Sequence, residues 1–507
     1  MNKMSKLLDV ATERISMGLK KQLALIYLQS NFSKDQDSIN IFQQSLIFVL
    51  QKNKDKFDGI VAEIIGSRSR IINEDFVNQL NGYTKEATDA NAHANSHGKR
   101  STSLFMSQYD SKRFISDLLA YLHNVIVNEL ELAESLFNFD QGELINKDLS
   151  IVIQSVVNKV VGSLSTTVRG SFESILRQET KPAIIVELYQ LVELYCMMYG
   201  KLISGEQSEL LNTLNSLKLE IVEKLFNLVR LKLKELKLEG DAELDDIDED
   251  LLNLPDWLID YYSTFLVVFE RVGSSGSGER FLGLEDDKLQ ELFGLLVDQP
   301  IEILIGMSKK LKFSKKSKKI YLINCIEFIK SRIEVIPLLA CKVPQVTEQL
   351  QKMVKELTVG EFDELLHNAG LYDIYNLVNM IFKLEDDFFE ISVYEPIKEN
   401  KMFQFSTFQA ADLKLQEFLI TYIVSNELNK LLSPMILNDV SVDSSVMFVN
   451  FYYKLGLILK EYLKDENGVP IHVLRWDDFH VATLLGVEGA YLDQKVDYEE
   501  EEEVDDA

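Results

Sequence analysis

Between Asp110 and Phe137 the chain reads SKRFISDLLAYLHNVIVNELELAESLF after the aspartate, with no proline and no glycine. Phe114, Leu118, Tyr121, Leu122, Val125, Ile126, Leu132, Ala133 and Leu136 recur at three- and four-residue steps, which gathers them into one apolar helical stripe. Arg113, Asp117, Asn124, Asn128, Glu131 and Glu134 fall largely on the opposite side. A helix of about 40 Å must cover such a stripe against other helices. Nothing nearby interrupts the pattern, because the first proline of the chain is Pro182.

A chain of 507 residues is too long for one core and predicts about three or four domains. With 46% hydrophobic residues it can bury large cores, and 8 prolines and 23 glycines leave few breakers. The expected fold class is all-α, an elongated rod of consecutive helical bundles. The net charge is −27. Two runs, Glu239–Asp250 and Asp497–Ala507, carry much of it and contain no base. No overall positive field is available to nucleic acid, so no nucleic-acid partner is expected.

Cys196, Cys325 and Cys341 form no CxxC and have no histidine at ligand spacing, which predicts reduced, buried thiols without zinc or disulfides. No signal-peptide pattern opens the chain and no run of 18 apolar residues occurs. Any membrane contact is therefore expected to be peripheral.

Helical spacing runs through Leu7–Tyr27, Ser38–Gln51 and Phe57–Leu80, ending at Gly82. Helices are also predicted over Asp148–Leu176, Pro182–Tyr199 and Ser208–Leu238, the last closing on LKLKELKLE, which alternates like a strand. Trp257 opens another. Further helices are expected near Asp287–Leu296, Gln299–Met307, Ile320–Val335, Pro344–Thr358, Val359–Ala369, Leu371–Phe382, Gln409–Leu432, Ser445–Leu463 and Asp477–Leu485. The expected organisation is a helical bundle over 1–83, a flexible polar loop over 84–102 and a second bundle over 103–238 containing the 110–137 helix. An acidic loop over 239–253, a connecting helix over 254–272 and a Gly/Ser linker over 273–278 follow. C-terminal bundles occupy 279–496 and a disordered acidic tail 497–507.

Few residues carry chemistry. Glu364 and His367 make one Glu-x-x-His pair where a di-iron bundle needs two. Asp477 and Asp478 precede His480, and their simplest role is to cap the helix that follows. Gly273, Gly276 and Gly278 lack the Lys-Ser/Thr of a phosphate loop. No catalytic, metal or cofactor site is expected, and no small-molecule substrate. The charge feature that stands out is Lys309, Lys310, Lys312, Lys315, Lys316, Lys318 and Lys319, seven lysines within eleven residues. Near an anionic leaflet each can add about 1 kcal/mol, making the run a candidate membrane or partner contact; as a solvated turn it would complement the end of the preceding helix.

The segment Asp110-Ser-Lys-Arg113-Phe-Ile-Ser-Asp117-Leu-Leu119-Ala120-Tyr-Leu-His123 resembles the Asp-Pro-x-Arg-Tyr-x-Gly-Asp-x-Leu-Ala-Trp-x-His signature of the sixth subunit of the conserved oligomeric Golgi complex. Glu129 fits the acidic position after it. Arg68-Ser-Arg70 with Phe76 and Leu80 is similar to that family's Arg-rich helix, Asn324-Cys325 to its apolar-Asn-Cys helix, and Ala482-Thr-Leu-Leu-Gly486 to its closing motif. Ser111, Ser116 and Tyr121 depart from the signature's Pro, Gly and Trp. The family begins with a longer coiled-coil region than Met1–Leu25 supplies, so the chain is expected to start inside the helical rod.

The resemblance implies a non-enzymatic subunit of a multisubunit vesicle tether, peripheral on the cytosolic face of the Golgi. That subunit would act in retrograde intra-Golgi transport, with the other subunits and SNARE proteins as partners. The alternative is a subunit of another helical-rod tether of exocyst type, binding acidic lipids through Lys309–Lys319.

Overall fold

The computed structural model describes residues 2–28, 36–82, 103–137, 143–203, 208–239, 248–272, 281–384, 389–422, 427–464 and 469–493. The expected loop 84–102, linker 273–278 and tail 497–507 lie outside these, as does most of the acidic loop. Among the described residues every regular element is helical apart from one isolated bridge between Lys464 and Pro470. The fold is all-α, as the breaker-poor composition requires.

Two compact units form. The first holds Met1–Leu231, Thr264–Val268 and Ser277–Asp286; the second holds Lys232–Ser263, Phe269–Gly276 and Asp287–Ala507. The division thus falls inside a helix, between Leu231 and Lys232.

In the first unit, α1 (Asn2–Leu28), α2 (Gln36–Lys52) and α3 (Lys54–Asn81) pack on one another. Gly82 ends α3 at φ 80°, its N–H bonded to the Asn78 and Gln79 carbonyls. A Cβ there would also lie 3.1 Å from the Phe105 ring, so glycine is required twice over. After a one-turn α4 (Ser103–Met106) comes α5 (Ser111–Phe137), with the Asp110 carboxylate accepting from the Arg113 N–H at 3.1 Å. Leu118, Leu122 and Ile126 are wholly buried, and α5 packs against α6 (Glu143–Gly162) and α8 (Pro182–Leu202).

The single helix expected over Asp148–Leu176 is two helices. α6 ends at Gly162, and α7 (Ser165–Gln178) leaves at 42°. Ser163 Oγ donates to the Val160 carbonyl at 2.6 Å and accepts from Asn73 Nδ2 at 2.8 Å. A Gly-Ser pair whose hydroxyl competes for the backbone is a recognised cause of such a bend.

Among the described residues α8 alone is a single helix long and apolar enough to cross a membrane, with an 18-residue window of mean hydropathy 1.2; α6 and α7 would pass only if taken together. Strict runs of apolar residues overlooked it, because Glu187 and Glu193 interrupt them. In the structure its Ile185, Leu188 and Val192 are buried, its Tyr199 hydroxyl donates to the Leu119 carbonyl of α5 at 2.5 Å, and Glu187 pairs with Lys112 at 3.0 Å.

α9 (Glu209–Glu239) settles the LKLKELKLE ambiguity as helix: Leu233 and Leu236 are buried three residues apart while Lys234 and Lys237 face solvent.

α10 (Asp256–Val272) carries Tyr261 and Tyr262 into the second unit, where their hydroxyls donate to the Leu295 and Leu296 carbonyls at 3.1 and 3.0 Å. Those carbonyls sit in a π-helical turn, Gly294–Asp298, joining α11 (Asp286–Phe293) to α12 (Gln299–Lys310). α13 (Lys315–Glu334) then packs on α14 (Val343–Asn368).

The break expected between Thr358 and Val359 is absent from α14. Gly360 is tolerated because Leu357, Glu361 and Phe362 around it are buried. α15 (Tyr372–Ile381) follows, then α16 (Phe405–Thr421), which stops well short of the predicted Leu432. α17 (Pro434–Tyr462) is the core helix of this unit. Phe448, Tyr452 and Leu455 join one cluster with Phe362 and Leu366 of α14, Leu415 of α16 and Val481 of α18 (Asp478–Leu485).

Candidate functional site

The structure splits the seven lysines. α12 ends with Lys309 and Lys310, the chain turns through buried Leu311, and Ser314 caps α13, its Oγ accepting from the Ser317 N–H at 2.9 Å. Lys316 turns inward, its side chain 11% exposed, and pairs with Glu361 at 2.5 Å and Glu364 at 2.7 Å. Burial works against its charge, yet the two carboxylates outweigh burial and raise its pKa; burial likewise raises that of Glu361. Lys319 pairs with Glu356 at 3.2 Å, and Lys318 is half-buried. Lys309, Lys310, Lys312 and Lys315 remain exposed around one helix–turn–helix corner. The backbone N–H of Ser314 donates to Glu249 Oε1 at 3.1 Å, so a carboxylate of the acidic run lies at the same corner.

Glu364 and His367 do not act as a ligand pair. Glu364 binds Lys316, and the His367 ring stacks on Tyr372 with centroids 3.6 Å apart. Asp477 caps α18, accepting from the His480 N–H at 2.8 Å. That backbone N–H and the His480 ring hold its carboxyl below the usual range. An open cleft of about 610 Å³ lies beside it, lined by Tyr452, Lys460, His472, Arg475, Trp476 and Asp478 among others. Among the described residues no three His, Cys, Asp or Glu side chains converge as metal ligands. Cys325 is buried and burial pushes its thiol up, but Cys196 is only half-buried and Cys341 is exposed in the turn before α14.

The signature residues perform structural work. Asp110 caps α5; Asp117 accepts from Ser103 Oγ at 2.8 Å; Leu119 is buried and gives its carbonyl to Tyr199. Ala120 is half-buried, the His123 ring lies 6.3 Å from that of Tyr199, and Arg113 is exposed. Glu129, only 5% exposed, is met by Arg68 of α3 in a two-pronged ion pair, with Nε to Oε2 at 3.0 Å. Gly486, which closes the Ala482–Gly486 motif, adopts φ 73° and bonds the Ala482 and Thr483 carbonyls as a helix stop.

Asn324 is the most connected of them. Its Nδ2 donates to the Leu252 and Lys430 carbonyls at 3.3 and 2.9 Å, and its Oδ1 accepts from the Leu432 N–H at 3.0 Å. Three segments far apart in sequence are joined by one buried amide. Asn324→Ala is expected to lower the stability of this unit by about 1–3 kcal/mol, since it orphans three backbone groups, the buried Leu252 carbonyl among them. A chemical-denaturation midpoint equal to that of the parent chain would refute this.

The partners Arg68, Glu249, Glu356 and Glu361 could not be paired from sequence. They stand 37 to 65 residues from their counterparts, beyond any helical period.

These features define a class: an all-α helical-bundle protein whose notable polar side chains hold helices together and whose exterior is helix surface. The family described as "Conserved Oligomeric Golgi complex subunit 6, C-terminal" matches residues 1–485. The chain belongs to this family.

It is 33% identical over 505 residues to the conserved oligomeric Golgi complex subunit 6 of Debaryomyces hansenii, covering 98% of this chain and 63% of the relative. The Candida albicans subunit 6 is 32% identical over 494 residues, covering 96% and 61%. The chain therefore spans about three-fifths of the length of these relatives. Among solved structures it is similar to the S. cerevisiae exocyst component Exo70p, with TM-score 0.47, 11% identity and coverage of 96% of this chain and 88% of that one.

Proposed function

We infer that this chain is a non-enzymatic, contact-making part of a multisubunit tether on the cytosolic face of the Golgi, acting in retrograde intra-Golgi vesicle transport. Its partners on this reading are the other subunits of the complex and SNARE proteins. The observation that carries the reading is the family match over residues 1–485. The fold supports it: the polar side chains whose spacing invites a catalytic reading, Glu364, His367, Asp477 and His480, are engaged in ion pairs, ring stacking and capping. Helical surface is what remains to do the work.

Affinity purification of the tagged full chain from its own cells tests this. Stoichiometric recovery of other subunits of the Golgi complex is the expected outcome. A chain recovered alone under gentle lysis would count against the reading.

A further inference from the structure

We propose that the corner between α12 and α13 docks on an anionic phospholipid bilayer through Lys309, Lys312 and Lys315. The choice of a membrane rests on the Golgi reading above. The surface itself rests on geometry.

Sequence alone offers seven equivalent lysines. The structure removes Lys316 and Lys319, which are held by Glu361, Glu364 and Glu356. Lys309, Lys312 and Lys315 are exposed and flank a turn fixed at both ends, by buried Leu311 on one side and the Ser314 cap on the other. They form a local positive point on a chain of net charge −27. A molecule so charged approaches an anionic surface favourably only through such a point.

The chemistry of the patch selects its occupant. Residues 309–319 contain seven lysines and no arginine. Ammonium groups are point charges suited to a diffuse anionic surface, whereas planar guanidinium forks favour discrete phosphates and nucleic acid. The net charge of the chain also opposes nucleic acid. Glu249, bonded to the Ser314 N–H, supplies an internal anion at the corner and tempers the attraction.

Flotation of the full chain with phosphatidylcholine vesicles, with and without phosphatidylserine, tests the proposal. The chain is expected to float with the anionic vesicles only. Combined Lys309→Gln, Lys312→Gln and Lys315→Gln substitution is expected to weaken binding about a hundredfold, at roughly fivefold per charge. Glu249→Gln should tighten it about fivefold by the same arithmetic. Helical content and melting temperature of the lysine variant should match those of the parent, since these side chains are exposed.

Unchanged flotation of the triple variant, or equal flotation with neutral vesicles, would overturn the proposal. So would stripping by inorganic phosphate beyond that by chloride of equal ionic strength, which would reassign the site to free phosphate. Weakened binding by Glu249→Gln would remove the internal anion from the account. Vesicle binding is read without any other subunit present, so its failure and failure of the complex to co-purify are separate results.

Discussion

Leu122→Asp is expected to unfold the first unit at temperatures where the parent chain is fully folded. Leu122 is 0% exposed at the middle of α5, among Leu118, Leu119 and Ile126, which are equally buried. Truncation alone, Leu122→Ala, should cost about 2–5 kcal/mol, because the contacts vanish and α5 cannot collapse into the gap. Aspartate adds the desolvation of a carboxylate, which brings the total to roughly 5 kcal/mol or more. That is comparable with the whole stability of a typical domain. Thermal unfolding followed by circular dichroism reads the graded series. Asn124→Asp, two residues away on the exposed face, should stay within about 0.5 kcal/mol of the parent. A melting temperature unaffected by Leu122→Asp would mean that the stripe on α5 does not pack.

Where the fold was legible in sequence, a local rule was at work. The α5 stripe repeats with the helical period, and six of its nine apolar positions are buried while the other three are half-buried. Asp477 precedes its helix as a capping residue does and accepts the expected backbone N–H, and Asp110 accepts from the Arg113 N–H in the same way. The failures have a common cause as well. The fusion across Gly360 and the bend at Ser163 were decided by residues on other helices: burial of the α14 face against its neighbours, and Asn73 reaching Ser163. Helix propensity is a weak local preference, worth about 1 kcal/mol at a glycine, and tertiary contacts of several times that size override it.

The same division explains the candidate site. Charge density is a property of composition, so the lysine run was visible, but which of its members turn inward was not. Lys316 and Lys315 are adjacent in sequence, yet the helical period turns one toward Glu361 and the other to solvent. The resemblance to the Golgi subunit marked Glu129, Asn324 and Gly486 without giving reasons for them. Each now has one: an interhelical ion pair, a three-way amide clamp and a left-handed helix stop. Residues that a family signature marks in this chain thus hold helices in register, while the exposed lysines lie at a turn outside the signature.

Arg68→Met should destabilise the first unit by about 3–5 kcal/mol, because it leaves the Glu129 carboxylate buried without its cation. Glu129 is 5% and Arg68 20% exposed, so water can relieve only part of this cost. Glu129→Leu, which leaves the more accessible guanidinium behind, should cost less than Arg68→Met. The double variant Arg68→Met/Glu129→Leu is the decisive sample. Two buried charges each lose hydration on folding, and an apolar pair of similar volume avoids that loss, so the double variant should recover most of the stability lost by Arg68→Met. Denaturation midpoints of the four proteins complete the cycle. If the two single costs simply add in the double variant, Arg68 and Glu129 do not act on one another, and α3 is held to α5 by other contacts, such as the stacked Phe76 and Tyr121 rings and the Tyr121 hydroxyl on Asp75.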